Sequence, residues 1–327
     1  WRVVEPLATW AGTPTTDARG ADRRGKVRKA FQARLRSAPG VVASTAGSLG
    51  TSLTFQYVNG LDLPARVQEY MVQAADGIDP NGDWLPDDVS GWRVQRYLSQ
   101  GFFYEWEWPN GVEDVAWRRA RSGWARAVRH ELARNAREGY DSPFLVATRI
   151  RREVLEGKRL ALHQAWLTWD AQRHKPVPPN RAIWVDDFFL DHAVDYASKL
   201  DSPIIWYEQK AVAAALAERG FTVYRAGAEI ANDRHPCAAS IQAHGVGKNL
   251  QAWEDMIVLC PPSGGKTWEQ LVGRLHRLGQ SADEVKVHVY QHTGAFRRAL
   301  TGALDDARYI EDATGNAQKL LYASLPG

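Results

Sequence analysis

The chain has 327 residues, 44% of them hydrophobic and 24% charged, the balance of an ordinary globular protein of about two domains. That balance excludes a largely disordered chain, a coiled coil and a collagen-like fibre. No run approaches the roughly 20 apolar residues of a membrane span or the charged-then-apolar start of a signal peptide. Net charge is +3, from 41 Lys and Arg against 38 Asp and Glu, too little to indicate nucleic acid unless the charge is clustered. Two cysteines neither staple a fold of this size nor complete a four-ligand zinc site without histidines, so a reducing cytoplasm is expected. The chain starts at Trp1, and a large residue there predicts a piece of a longer protein or a processed product.

In chain order, residues 1–175 are rich in Arg and Trp, with Gly/Pro/Asp loops such as Asp79-Pro80-Asn81-Gly82-Asp83. Lys26–Arg36 reads as a basic helix, Val41–Ser44 and Ser52–Val58 as strands. Glu113–Arg137 reads as a long helix with Trp117, Trp124, Val128 and Leu132 on one stripe. Residues 19–36 hold eight Lys/Arg against Asp22, and residues 117–137 seven Arg against Glu131. Such stretches either contact phosphates, through residues such as Arg118, Arg121 and Arg129, or form solvated helix faces. The run Gly101–Trp108, with five aromatic residues, either stacks bases or belongs to a core. This half is expected to be an irregular, mostly helical accessory region.

His174-Lys175-Pro176-Val177-Pro178-Pro179 cannot continue a helix, and the domain boundary is placed there, giving domains 1–175 and 176–327. The second domain alternates strands and helices. The predicted elements are Ala182–Val185 (strand), Phe188–Leu200 (helix), Pro203–Tyr207 (strand), Gln209–Arg219 (helix), Thr222–Arg225, Cys237–Ile241 and Met256–Cys260 (strands). Thr267–Leu278 (helix), Val285–Tyr290 (strand) and a helical tail from about Ala295 follow. Strands joined by crossover helices predict an α/β fold, a parallel sheet with helices on both faces and a ligand edge at the strand C-termini.

Pro261-Pro262-Ser263-Gly264-Gly265-Lys266-Thr267 follows a buried strand and opens a helix, the setting of a phosphate-binding P-loop. The pattern needs a Gly five places before Gly265, where Cys260 stands, and two prolines remove amide donors. A small NTPase using Lys266 therefore stands as an alternative to a plain Gly-rich loop. On the next helix, Gln270, Arg274 and Arg277 are spaced to share a face. Two guanidiniums beside an amide suit a transferring phosphoryl group or, equally, a solvated basic surface. The loop His244-Gly245-Val246-Gly247-Lys248-Asn249 offers amides, Lys248 and Asn249 to a phosphate backbone.

Taken together, Ser240-x-x-Ala243-x-Gly245-x-Gly247-x-Asn249-Leu250 and Gln270-x-x-Gly273-Arg274-x-His276-Arg277-x-Gly279-Gln280 resemble motifs V and VI of superfamily 2 helicases. The resemblance is to the second RecA-like domain, closest to the Swi/Snf-type branch and to phage-encoded relatives, over roughly 181–295. Pro203–Lys210 resembles motif IV. Thr13-Pro14 after Gly12 resembles a motif III Gly-Thr-Pro, although no apolar strand precedes it. Motifs I and II are absent from this chain.

The resemblance implies the C-terminal part of an ATP-dependent nucleic-acid helicase or translocase. ATP and Mg²⁺ would sit between this domain and a first RecA-like domain in the same protein or another subunit, and the isolated chain would bind neither. Arg274 and Arg277 would be the catalytic residues; with Gln270 and Gly273 they would line the ATP site. Gly245, Gly247, Lys248 and Asn249 would meet nucleic acid, expected to be double-stranded DNA, in the cytoplasm, or the host cytoplasm for a phage protein. A non-catalytic nucleic-acid clamp or partner-binding module is the competing class, and no membrane is involved.

Overall fold

A computed structural model describes residues 31–34, 50–134, 142–245 and 249–324. Of the expected basic helix, residues 31–34 are helical; its remainder, the strand expected at Val41–Ser44 and the Gly-Thr-Pro string lie outside the described residues.

In chain order come β1 (Ser52–Val58), α1 (Ala65–Ala75), α2 (Asp88–Leu98), β2 (Phe102–Trp106), α3 (Val115–Arg134), α4 (Pro143–Leu155) and α5 (Ala161–Asp170). Then follow β3 (Asn180–Trp184), α6 (Phe188–Ser198), β4 (Ile204–Tyr207), α7 (Lys210–Glu218), β5 (Thr222–Tyr224), β6 (Cys237–Ser240) and the single turn α8 (Ile241–His244). The chain closes with β7 (Asp255–Val258), α9 (Gly265–Val272), β8 (Glu284–Tyr290), α10 (Gly294–Thr314) and α11 (Lys319–Tyr322).

The fold is α/β, as the alternation predicts. Six strands in the order β1-β8-β7-β4-β6-β5 form one sheet, and every neighbouring pair is parallel. The central strands are mainly apolar, with Ile204–Tyr207 and Met256–Val258 buried, because helices cover a parallel sheet. Edge strand β1 instead alternates, burying Leu53 and Phe55. Its outer side receives the chain end, where the Phe55 amide donates to the Ser324 carbonyl at 2.8 Å. Inside the sheet a polar relay is fully satisfied. His288 on β8 shares hydrogen bonds with Asp255 of β7 at 2.9 Å and with the Tyr196 hydroxyl of α6 at 2.8 Å.

The chain divides elsewhere than at residue 175. One compact unit holds β1 and the described residues from Ala193 on; the other is Leu61–His192. Two strands change side relative to the expected domains. β1 joins the sheet by pairing along its whole length with β8. β3, expected in the parallel sheet, pairs antiparallel with β2 inside the second unit. The reason is in the partners: β2 places Phe102 against Trp184, with ring centroids 5.0 Å apart, and Glu105 opposite Arg181, paired at 2.9 Å. The proline segment is thus a connector within the second unit rather than its end.

That unit is mostly helical, as expected. Trp117 of α3 is 1% exposed and makes T-shaped contacts with Trp106, Trp108 and Trp169 at 5.4–5.9 Å. Of the aromatic run, Phe102 and Phe103 are buried core residues, and Tyr104, Trp106 and Trp108 are half-buried. The loop before α2 wraps onto α3. Asp83, 4% exposed, accepts from Arg118 Nε through both oxygens at 3.1 Å. Asp79 accepts from the Asn81 and Asp83 amides at 2.9 Å.

Burial, reinforced by the Asp83 charge and opposed by the hydrogen bonds from the two amides, raises the Asp79 carboxyl to about 6, from an ordinary 3.8. The folded state therefore holds a proton that the unfolded state releases. This stabilising contribution is complete below about pH 4 and is lost as pH rises through about 6. Asp79 is only half-buried, so the span is on the order of 1–3 kcal/mol. Urea midpoints of wild type minus Asp79→Asn, taken from pH 4 to pH 7, should fall with pH over that window; a flat difference would show an unperturbed carboxyl.

Candidate functional site

The helix expected over Thr267–Leu278 stops at Val272, with Gly273 as its C-cap. Beyond it the backbone tightens. The Arg274 amide donates to the Leu271 carbonyl at 3.2 Å and the Leu275 amide to Val272 at 3.1 Å, the three-residue spacing of a narrowing turn. The Arg274 carbonyl turns outward and accepts from the Leu250 amide at 3.1 Å. Arg274 and Arg277 therefore do not share a helix face, as their spacing suggested, yet tertiary contacts bring them to one loop.

Arg274 Nε donates to the carbonyls of Gly245 and Gln270, both at 3.1 Å, which fixes the plane of its guanidinium. Arg277 Nη1 donates to the Asn249 side-chain oxygen. Both arginines are half-buried. Burial, and then the Arg277 charge, hold the Arg274 guanidinium below its ordinary value. Gln270 enters this group through its backbone, and Gly273 through the helix end. Of the residues expected to meet nucleic acid here, Gly245 and Asn249 contact the two arginines; Gly247 and Lys248 lie outside the described residues.

The position of the cluster differs from the expected ligand edge. His276 Nε2 donates to the Thr51 carbonyl at 2.9 Å, just before β1. Gln280 Nε2 donates to the Trp253 carbonyl at 3.0 Å, just before β7. The 273–280 segment is thus tied to the edge where β1, β7 and β8 begin, opposite the strand C-termini.

The P-loop-like string is placed differently again. Lys266 is exposed. The amide of Gly265, at the start of α9, donates to the Asp306 carboxylate of α10 at 2.8 Å. A carboxylate thus holds a position a phosphate would need. A Cβ on Gly265 would stand 2.6 Å from the Ala307 amide nitrogen and 2.8 Å from its Cα, so this glycine serves close helix packing. The geometry does not favour a small NTPase built on Lys266. Asp306 lies 41 residues away, and no local pattern announces it.

The three arginines expected to meet nucleic acid from α3 have partners within their own unit. Arg118 binds Asp83, pairs with Glu113 at 3.0 Å and donates to the Asn81 carbonyl at 2.5 Å. Arg121 lies over the Trp106 ring, 4.9 Å from its centroid, and burial lowers its pKa. Arg129 pairs with Asp88 at 2.9 Å and packs over Gly77, where its guanidinium fills the place of a Cβ and the backbone φ is +88°.

No protein family matches the chain, and no curated protein matches it. Among solved structures it is similar to the crystal structure of the C-terminal part of the Fun30 ATPase domain. Identity is 13% and the TM-score 0.39, over 77% of this chain and 89% of that one.

Two substitutions separate packing from phosphate chemistry at α9. Gly265→Ala should cost about 1–3 kcal/mol, since the added methyl meets backbone rather than a yielding side chain. Lys266→Ala should change the denaturation midpoint by less than about 0.5 kcal/mol. Equilibrium urea unfolding measures both, and the reverse ranking would contradict the close helix contact.

Proposed function

We propose that this chain is the C-terminal half of an ATP-dependent nucleic-acid helicase or translocase of the superfamily 2 type, supplying Arg274 and Arg277 to an ATP site completed by a first RecA-like domain. The observation that carries this reading is the pair of guanidiniums gathered against Gly245 and Asn249, near enough for one charge to depress the other's pKa. Two like charges held together repel, and a phosphoryl group relieves that repulsion. The motif V and VI resemblance of these same residues gives the anion its identity as the γ-phosphate of ATP. Mg²⁺, its carboxylates and the phosphate-binding loop belong to the other domain, so the isolated chain hydrolyses no ATP.

In this reading each residue has a distinct task. Arg274, with Nε fixed by two carbonyls, presents a preset fork to the charge that develops on the transferring phosphoryl. Arg277 is held by Asn249, a side chain of the loop assigned to nucleic acid. A phosphate backbone settling on the loop amides shifts Asn249 and with it Arg277. Occupancy of the track, proposed to be double-stranded DNA, is thereby linked to the chemistry of the ATP site.

In the intact enzyme, Arg274→Ala and Arg277→Ala should each lower kcat by about 10³–10⁵ while nucleotide affinity changes little. Lysine should rescue poorly, lacking the planar fork. The double variant should be little worse than the worse single one, because the two act as a unit. Steady-state ATPase kinetics with nucleic acid present decide it. A raised KM at unchanged kcat would mean that the arginines hold only ground-state nucleotide, and unaltered turnover would remove the helicase reading.

A further inference from the structure

The second unit carries an open cleft of about 590 Å³ between α3 and the loop that precedes α2. Its floor is the outward face of α3, with Ser122 and Gly123 between Arg119 and Arg126. Its wall is the loop around Trp84, fastened by the Trp84 amide donating to Ser122 Oγ at 2.9 Å. Two carboxylates line it, Asp83 and Glu113, and Arg118 binds both. Arg119 and Arg126 then stand at the cleft, exposed, with no ion pair among the described residues. Arg126 lies 6.0 Å from the Trp84 ring centroid, at the outer limit of a cation–π contact, so its guanidinium is lightly held. Three arginines against two carboxylates leave the cleft positive beside an aromatic face.

We propose that this cleft binds one unpaired nucleotide of a single nucleic-acid strand, its base against Trp84 and its flanking phosphates on Arg119 and Arg126. The two arginines are seven residues apart, about 10.5 Å along the helix axis, a span that long side chains close to the length of a dinucleotide backbone. Stacking on an aromatic ring together with guanidinium contacts to phosphate is the general chemistry of single-strand binding. The half-buried ring stands inside a cleft of single-nucleotide size, so a base paired in a duplex does not reach it. The proposal rests on the reading that nucleic acid is the partner. It adds a contact to an unpaired strand, in a unit separate from the sheet.

The test measures binding of labelled oligothymidine, and of a duplex of matched length, to the full chain by fluorescence anisotropy across a salt series. Arg119→Ala and Arg126→Ala should each reduce the log–log salt slope for the single strand by about 0.7. Trp84→Leu should weaken single-strand binding roughly 5–150-fold, and Trp84→Phe should retain most of it. Trp84→Phe also keeps the proposal testable if the leucine variant fails to fold. Duplex affinity should change far less. Unchanged slopes and affinities in the Arg119, Arg126 and Trp84 variants would overturn the cleft while leaving the motor reading intact. Equal losses for single strand and duplex would overturn the unpaired-base assignment. No binding of either nucleic acid would overturn the cleft and its partner class together. Failure of the motor reading alone shows instead as unaltered ATPase turnover in the Arg274 and Arg277 variants.

Discussion

Seven residues of β1 lie parallel to seven residues of β8, more than 220 positions later in the chain. Parallel neighbours cannot be joined by a tight turn; the chain must leave the sheet and return from the other end. Here the departure after β1 contains the entire helical unit, and the return builds β4 to β7 before β8 arrives. The edge where β1, β7 and β8 begin then becomes the anchor of the 273–280 segment, through His276 to Thr51 and Gln280 to Trp253. The placement of Arg274 and Arg277 depends on that anchorage, because no helix carries them.

Arginine has three separate uses in this protein. Arg118, Arg121 and Arg129 act as internal cations, neutralising Asp83, Glu113 and Asp88 or covering tryptophan. In doing so Arg118 leaves Arg119 and Arg126 as the positive groups of the neighbouring cleft. Arg149 joins the first group, binding Glu131, which is 5% exposed. A buried carboxylate without such a partner would carry a heavy desolvation cost. Arg274 and Arg277 belong to neither group. Arg274 donates through Nε to the carbonyls of Gly245 and Gln270, and Arg277 to the Asn249 side-chain oxygen, all of them neutral acceptors.

Glycine makes room for close neighbours at two separate places. Gly264-Gly265-Lys266-Thr267 has the composition of a phosphate cradle, but Gly265 is required by the approach of Ala307 and its amide is taken by Asp306. Gly77, in the left-handed region, makes way for the Arg129 side chain.

Much of the sheet unit was legible in the sequence, because fully buried parallel strands are short apolar runs and the helices between them are Ala- and Leu-rich. β4, α7, β6, β8 and α10 fall where periodicity put them. So does α3, whose stripe of Trp117, Trp124, Val128 and Leu132 faces inward. That same stripe could have sorted its arginines. At about 100° per residue, Arg119 and Arg126 lie opposite it, whereas Arg121 lies on it and Arg118 and Arg129 flank it. What sequence alone could not decide was set by partners distant in the chain. β1 and β3 have strand-like sequences, but only pairing energy assigns one to the parallel sheet and the other to an antiparallel pair. Gln270, Arg274 and Arg277 were recognisable as a group from spacing. Their common loop, however, lies beyond a helix that ends at Val272 and is held by distant partners, the Leu250 amide on the Arg274 carbonyl and Gly245 and Asn249 on the two guanidiniums. Local pattern fixes which segments are helix or strand because their hydrogen bonds and apolar faces repeat within a few residues. Contacts across tens to hundreds of residues, where one carboxylate or carbonyl selects one partner, are decided only when the chain has folded.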